Sequence, residues 1–268
     1  MIQASPTFRE PRLYVIGVGV TIPDHITVEA FRAMAACNRI YTLLQEPPHV
    51  WLPPNTINLI PVINVFEMYV EGALRTSNYD RVADSIFNAL NENAKIGYVT
   101  YGNPLVYDSV AQNLIRNAQQ NGVAFQIVAG ISSIDTLLCD LGVDMAPGLQ
   151  VYEASWLVAG QIQLDATVPA ILVQIGTFGS FQAHYRTAPP ASALSDLVAY
   201  LRTWYPASHA VFLVRSANSG KGPANIRKIC LGDLGEAPAK DVLGASMYVP
   251  AAEQARLSDG MIARMERR

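Results

Sequence analysis

Between residues 13 and 141 the chain alternates short apolar runs with stretches of helical spacing, and that order leaves few folds open. Residues 13–20 are apolar apart from two glycines, as in a strand buried on both faces. Residues 26–37 place Ile26, Ala30, Ala33, Met34 and Cys37 three to four apart, the repeat of one helix face. Further strands are expected at 39–44, 56–62, 95–101 and 125–128, and further helices at 79–90, 106–120 and 133–141. Such an order predicts a mainly parallel sheet with helices packed on it.

The order changes near Gly148. Residues 149–154 and 170–176 read as strands with no helix between them, 193–205 as a helix, and 210–214 and 246–249 as strands. Strand followed directly by strand predicts a second, mixed sheet. The expected fold class is therefore α/β with two domains, a mainly parallel one over 1–128 and a mixed one over 129–268.

Only 15% of the residues are charged, against roughly 25% in an average soluble protein. A large buried fraction is expected, part of it against a partner chain. The net charge is −3 and no block of Lys and Arg occurs, which argues against nucleic acid as a partner. The apolar runs fall far short of the ~20 residues of a membrane span, and residues 1–11 lack the apolar stretch of a secretory signal. A cytoplasmic chain without membrane association is expected. Cys37, Cys139 and Cys230 fit no disulfide framework or zinc spacing and read as buried thiols. His25, His49, His184 and His209 stand isolated, so no metal site is expected.

Three strand ends carry glycine. Gly17-Val18-Gly19 closes the first strand, and a dinucleotide fingerprint would need a third glycine where Ile22 stands. Tyr101-Gly102-Asn103-Pro104 ends one strand and opens a helix, and Gly130-Ile131-Ser132-Ser133 does the same further on. Ligands of open α/β sheets bind at the carboxyl ends of strands, and glycine lets a ligand approach the backbone. Taken alone, each loop also has a plain structural explanation: a tight turn for the first, a strand-to-helix connection for the second and a serine helix cap for the third. Tyr69, Arg75, Tyr79 and Tyr101 form a further set. Arg75 and Tyr79 lie four apart on one helix face, and a guanidinium beside a tyrosine stabilises phenolate.

Taken in order, these segments resemble the tetrapyrrole (corrin and porphyrin) methylases. Leu13-Tyr14-Val15-Ile16-Gly17-Val18-Gly19 followed by Thr27-Val28-Glu29-Ala30 is similar to their opening. Tyr101-Gly102-Asn103-Pro104 and Ala129-Gly130-Ile131-Ser132-Ser133 are similar to two of their loops. Tyr152-Glu153-Ala154-Ser155, Gln174, Trp204-Tyr205-Pro206 and Ser246-Met247-Tyr248-Val249-Pro250 resemble one branch in particular, the borosin-type peptide backbone α-N-methyltransferases. Asn103 stands where that branch has His, and Ala129 where Pro is usual.

The resemblance implies a two-domain homodimer that binds S-adenosyl-L-methionine in a cleft between domains. Implied cofactor contacts are Gly17, Val18, Gly19, Tyr101, Asn103, Val106, Tyr107, Ser132, Ser133, Gln174, Leu213 and Ser246. Implied catalytic residues are Tyr101, Arg75, Tyr79 and Tyr69, with Tyr101 as the base, its pKa lowered by Arg75. No substrate-like tail follows Pro250, so the implied substrate is a separate precursor peptide. Two other readings fit the same residues: methylation of a tetrapyrrole or another small metabolite, and S-adenosylmethionine binding without turnover.

Overall fold

The computed structural model describes residues 10–90, 94–183, 189–217 and 222–266. His184 lies outside them. The chain forms two compact units. The first runs up to Asp140 and takes in two returning segments, described over 181–183, 216–217 and 222–224. The second holds the rest.

The first unit contains β1 (Leu13–Gly17), α1 (Val28–Ala35), β2 (Arg39–Thr42), α2 (Pro48–Trp51), β3 (Val62–Asn64), α3 (Arg75–Asn88), β4 (Ile96–Thr100), α4 (Ser109–Gln120), β5 (Phe125–Val128) and α5 (Ser133–Leu141). Its five strands pair in parallel in the order β3-β2-β4-β1-β5. The unbroken apolar run of β1 has a direct cause. Tyr14 and Ile16 pack in one core with Ala30, Ala33 and Met34 of α1. Leu13 and Val15 pack in another with Val82 and Ile86 of α3 and Val110 and Leu114 of α4. Both faces of the strand are covered, so neither position of its two-residue repeat is polar. Side chains start the helices: Thr27 Oγ1 accepts from the Ala30 N–H at 3.0 Å, and Asp108 from Ala111 at 2.9 Å.

The strand expected at 56–62 is displaced to Val62–Asn64. Thr56 folds back instead, donating its hydroxyl to Pro53 O at 2.7 Å and its N–H to the same oxygen at 2.8 Å. The two prolines before it turn the chain, and pairing with β2 resumes only at Val62, opposite Ile40.

The second unit contains β6 (Gln150–Glu153), α6 (Ala154–Ala159), β7 (Ala170–Val173), α7 (Ala191–Leu201), β8 (Ala210–Arg215), β9 (Asn225–Cys230), α8 (Ala239–Val242), β10 (Ser246–Val249) and α9 (Asp259–Met265). Its sheet runs β6-β7-β10-β8-β9, with β6 and β7 parallel and the other pairs antiparallel. The mixed second sheet agrees with the sequence reading. Its first connection does not, because parallel strands need a crossover and α6 supplies it. Glu153 starts α6 by accepting the Trp156 N–H at 2.7 Å. The core here gathers Leu157, Leu172, Leu194, Leu197, Leu201, Val211, Leu213 and Met247. Of the three cysteines only Cys37 is buried. Cys139 and Cys230 are exposed, on α5 and on the edge strand β9, against the expectation of three buried thiols. No helix among the described residues is long and apolar enough to cross a membrane.

Candidate functional site

The strands β4, β1 and β5 are neighbours, so their three glycine loops leave the sheet side by side at its carboxyl end. The loops lock together through their backbones. Val18 N–H donates to Thr100 O at 3.1 Å. Gly19 N–H donates to Gly102 O at 3.2 Å, and Gly102 N–H to Gly19 O at 2.9 Å. Side chains are excluded from the junction by contact alone. A Cβ on Gly17 would lie 2.4 Å from Gly102 O and 2.8 Å from Gly130 N. One on Gly130 would lie 2.1 Å from Gly102 O. Gly102 differs: its φ of +65° suits glycine, and a Cβ there would have only contacts at 3.9 Å, with Ile131, Ser132 and Ser133.

In the same unit lies a cavity of about 350 Å³ lined by Val20, Gln45, Tyr101, Gly102, Asn103, Val106 and Ser133. Four of the expected cofactor residues, Tyr101, Asn103, Val106 and Ser133, are in its wall. Gly17 and Gly19 build the junction instead, and the Val18 side chain is fully buried in the core. Ser132 Oγ donates to Asp135 at 2.7 Å and accepts the Asp135 N–H at 3.2 Å, so it serves as a helix cap. Tyr107 is 41% exposed and holds a φ of 58°, a left-handed conformation that costs about 1–3 kcal/mol in a residue with a side chain. Val20 and Gln45 were not anticipated. A larger hollow of about 510 Å³ in the second unit is lined along β9 by Arg227, Lys228 and Cys230 and holds no anticipated residue.

Tyr101 is half-buried at the end of β4. Its hydroxyl donates to the Glu46 carboxylate and accepts the Gln45 N–H at 3.0 Å. Burial pushes the phenol well above the ordinary tyrosine value. The Gln45 N–H works the other way, and the Glu46 carboxylate adds to the rise. The expected lowering by Arg75 is therefore corrected: the charged group on the hydroxyl is a carboxylate, which favours the neutral phenol.

Tyr69, Arg75 and Tyr79 are grouped by α3 and the loop before it. Arg75 begins the helix and Tyr79 follows one turn on. The rings of Tyr69 and Tyr79 meet edge to face, with centroids 6.3 Å apart, and Phe66 stacks on Tyr69 at 6.2 Å. Asn78, fully buried on α3, ties this loop down. Its Oδ1 accepts the Val70 N–H at 2.9 Å, and its Nδ2 donates to Val70 O at 3.0 Å. Arg81 adds a bond to Met68 O at 3.2 Å. Replacing Asn78 by Ala is expected to loosen the loop that carries Tyr69 by about 1–3 kcal/mol, the cost of orphaned buried partners. Hydrogen exchange of the Val70 amide should then quicken about ten- to a hundredfold, and an unchanged rate would show that Asn78 does not hold the loop.

In the second unit, Gln174, Leu213 and Ser246 fall at one end of the sheet. Gln174 follows β7 with a φ of 59°. Ser246 opens β10 opposite Val214, and Met247 pairs with Leu172 on one side and Leu213 on the other. The Leu213 side chain belongs to the core, and its backbone lies within the sheet, opposite Met247 and Arg227.

The profile of the Tetrapyrrole (Corrin/Porphyrin) Methylases matches residues 12–217. A methyltransferase and gymnopeptide precursor of Gymnopus fusipes is 25% identical over 269 residues, covering 99% of this chain and 63% of its own length. A type II borosin cyclic peptide precursor with a methyltransferase, from Phlebiopsis gigantea, is 25% identical over 67% of this chain and 32% of its own length. The chain thus spans less than two thirds of these curated relatives. Among solved structures, a cobalt precorrin-4 methyltransferase matches with a TM-score of 0.60 at 12% identity, covering 89% of this chain and 94% of that one. A uroporphyrin-III C-methyltransferase of Thermus thermophilus gives 0.56 at 17%, covering 92% and 98%. These structures agree with the α/β architecture of two sheets found here, and the matched residues run from β1 past the end of β8. By its sequence the chain belongs to the tetrapyrrole (corrin/porphyrin) methylases.

Proposed function

We propose that this protein is an S-adenosyl-L-methionine-dependent methyltransferase acting on backbone amide nitrogens of a precursor peptide, and that it works as a homodimer. The observation that carries the reading is the interlocked glycine junction at the carboxyl end of the parallel sheet, beside a cavity of about 350 Å³. That volume lies within the range of small-ligand sites. Its wall has apolar side chains for an aromatic base, Val20 and Val106, and polar ones for a ribose and an amino acid, Asn103, Ser133 and Gln45. Gly102 leaves open a space that a side chain would narrow. The residues therefore fit the cofactor, with Tyr101, Asn103, Val106 and Ser133 as its holders in this unit. Gln174, Leu213 and Ser246 are further proposed contacts. The cofactor, when bound, supplies an electrophilic methyl group on a sulfonium.

The peptide substrate is supported by the relatives, whose names join a methyltransferase to a cyclic peptide precursor. It is also supported by the group of Tyr69, Arg75 and Tyr79. An amide nitrogen is a poor nucleophile because its lone pair is delocalised into the carbonyl. Its methylation needs a group that takes the N–H proton and a donor that stabilises charge on the amide oxygen. In this reading Tyr69, Arg75 and Tyr79 orient the amide and stabilise that charge, and Tyr101 faces the proton. A homodimer is supported by the low charged fraction and by the exposed Phe66, Val70, Leu74 and Phe181.

Calorimetry with S-adenosylhomocysteine is expected to show one site per chain. Incubation with S-adenosylmethionine and a peptide is expected to add 14 Da steps, roughly one methyl in place of one proton, seen by mass spectrometry of the peptide. Absence of binding at millimolar ligand would remove the reading.

A further inference from the structure

The loop after β2 ends in a carboxylate that sequence reading passed over. Glu46 is partly buried and lies 55 positions before Tyr101 in the chain. Its loop is fixed from three sides. Leu44 N–H donates to Thr42 Oγ1 at 3.0 Å, Asn64 Nδ2 donates to Leu44 O at 3.1 Å, and the buried Trp51 donates its indole N–H to Glu46 O at 2.9 Å. Pro47 and Pro48 follow at once and stiffen the exit. The carboxylate is thus preorganised against the Tyr101 hydroxyl.

A phenol hydroxyl has one proton to donate and an oxygen that accepts. At Tyr101 the proton goes to Glu46 and one lone pair takes the Gln45 N–H. The same residue lines the cavity. With its proton committed to Glu46, the Tyr101 oxygen can meet a further group only as an acceptor, and the ligand atom that suits it is an N–H or O–H donor. Gln45, in the same wall, fixes the ring oxygen in place through its backbone.

We propose that Glu46 is the terminal proton acceptor behind Tyr101, so that the pair, rather than the phenol alone, takes the proton from an N–H group bound in the cavity. This rests on the methyltransferase reading given above. The amide N–H bond breaks as a new O–H bond forms on Tyr101, and the original Tyr101 O–H breaks as one forms on the Glu46 carboxylate. The nitrogen's electron pair forms the N–C bond to the methyl carbon of a sulfonium donor, and the C–S pair leaves with sulfur. One carboxylate becomes a carboxylic acid, one sulfonium becomes a thioether, and charge balances. Tyr101 is neutral before and after, so a phenol held far from ionisation is no obstacle: it passes a proton and never has to exist as phenolate. Glu46 acts through Tyr101 and is a positioning residue that also stores the proton.

The test is Glu46→Gln, with Glu46→Asp beside it. Gln keeps the length and an oxygen that accepts the Tyr101 hydrogen bond, but it takes no proton. Two readouts are made on the full chain. In the first, tyrosine carrying a ring-carbon label is titrated by NMR without substrate, and Tyr101→Phe identifies the resonance. The Tyr101 midpoint is expected to fall in Glu46→Gln, because the carboxylate that favours the neutral phenol is gone. In the second, single-turnover transfer to peptide is expected to slow by roughly 10²-fold, in the range of general acid–base groups, with Glu46→Asp recovering part of it. The two effects run in opposite senses: the phenol becomes easier to ionise while transfer slows. A phenolate base predicts that Glu46→Gln speeds transfer near neutral pH, and that result overturns the proposal. An unchanged Tyr101 midpoint, or a wild-type rate in Glu46→Gln, also overturns it. A wild-type chain that methylates no peptide counts against the function itself, and it is told apart because the titration still reports the pair.

Discussion

Gly130→Ala is expected to cost more than about 4 kcal/mol, the exceptional end of single substitutions. The methyl group would sit 2.1 Å from Gly102 O, 2.7 Å from Gly17 C and 2.8 Å from Gly19 N. All three are backbone atoms of the neighbouring loops, and none is the far end of a flexible side chain. The clash is relieved only by parting the loops that are bonded through Gly19 and Gly102. Chemical denaturation of the first unit and calorimetry with S-adenosylhomocysteine measure the two consequences, lost stability and lost binding. Gly122→Ala is the control. That glycine also has a positive φ, +64°, but a Cβ there meets nothing within 4 Å among the described residues. Its cost is the backbone term alone, about 1–2 kcal/mol, with binding unchanged. If Gly130→Ala unfolds within about 1 kcal/mol of the parent, the junction is not the close-packed one described.

Tyr101→Phe is expected to slow methyl transfer by about 10²–10⁴, the range that a positioned proton-transfer group supplies. The ring stays and the hydroxyl goes, so the Gln45 N–H and the Glu46 carboxylate lose their partner and the cavity loses its acceptor. Affinity for S-adenosylhomocysteine should change less than about tenfold, since the wall keeps its shape. Tyr101→Phe combined with Glu46→Gln should be little slower than Tyr101→Phe alone, because groups that work as one unit are not additive. Single-turnover transfer with cofactor affinity measured separately checks this. Transfer at the parent rate in Tyr101→Phe removes Tyr101 from the proton path.

Much of the fold was legible because burial on both faces writes itself as an unbroken apolar run. The run in β1 and the glycines at three strand ends came through clearly. What stayed hidden had physical reasons. The edge strand β9 is exposed at all but one position and carries Arg227 and Lys228, so it has neither an apolar run nor an alternation to show. Helix α6 is six residues long, too short for a helical repeat. At the site, the residues that face one another come from loops far apart in sequence. Arg75 and Tyr79 were linked by helical spacing, which is local. Glu46 and Tyr101 are linked only by the parallel pairing of β2 with β4, and nothing in a Gln-Glu-Pro-Pro turn announces a partner. The assignment of Arg75 as the tuner of Tyr101 failed for the same reason: charge neighbours are set by strand order.

The place of β1 in its sheet has a consequence for how the protein is made. Leu13 lies opposite Ile96 on one side and Phe125 on the other. A ribosome adds roughly 5–20 residues per second, so β1 waits roughly 4–17 s, at that pace, for its first neighbour to be synthesised. Throughout that interval five residues destined for complete burial have both strand edges without their partners. Apolar strand segments with unpaired edges are an aggregation hazard. Yield of this protein in a heterologous host should therefore rise with chaperones that hold β1 until β4 emerges.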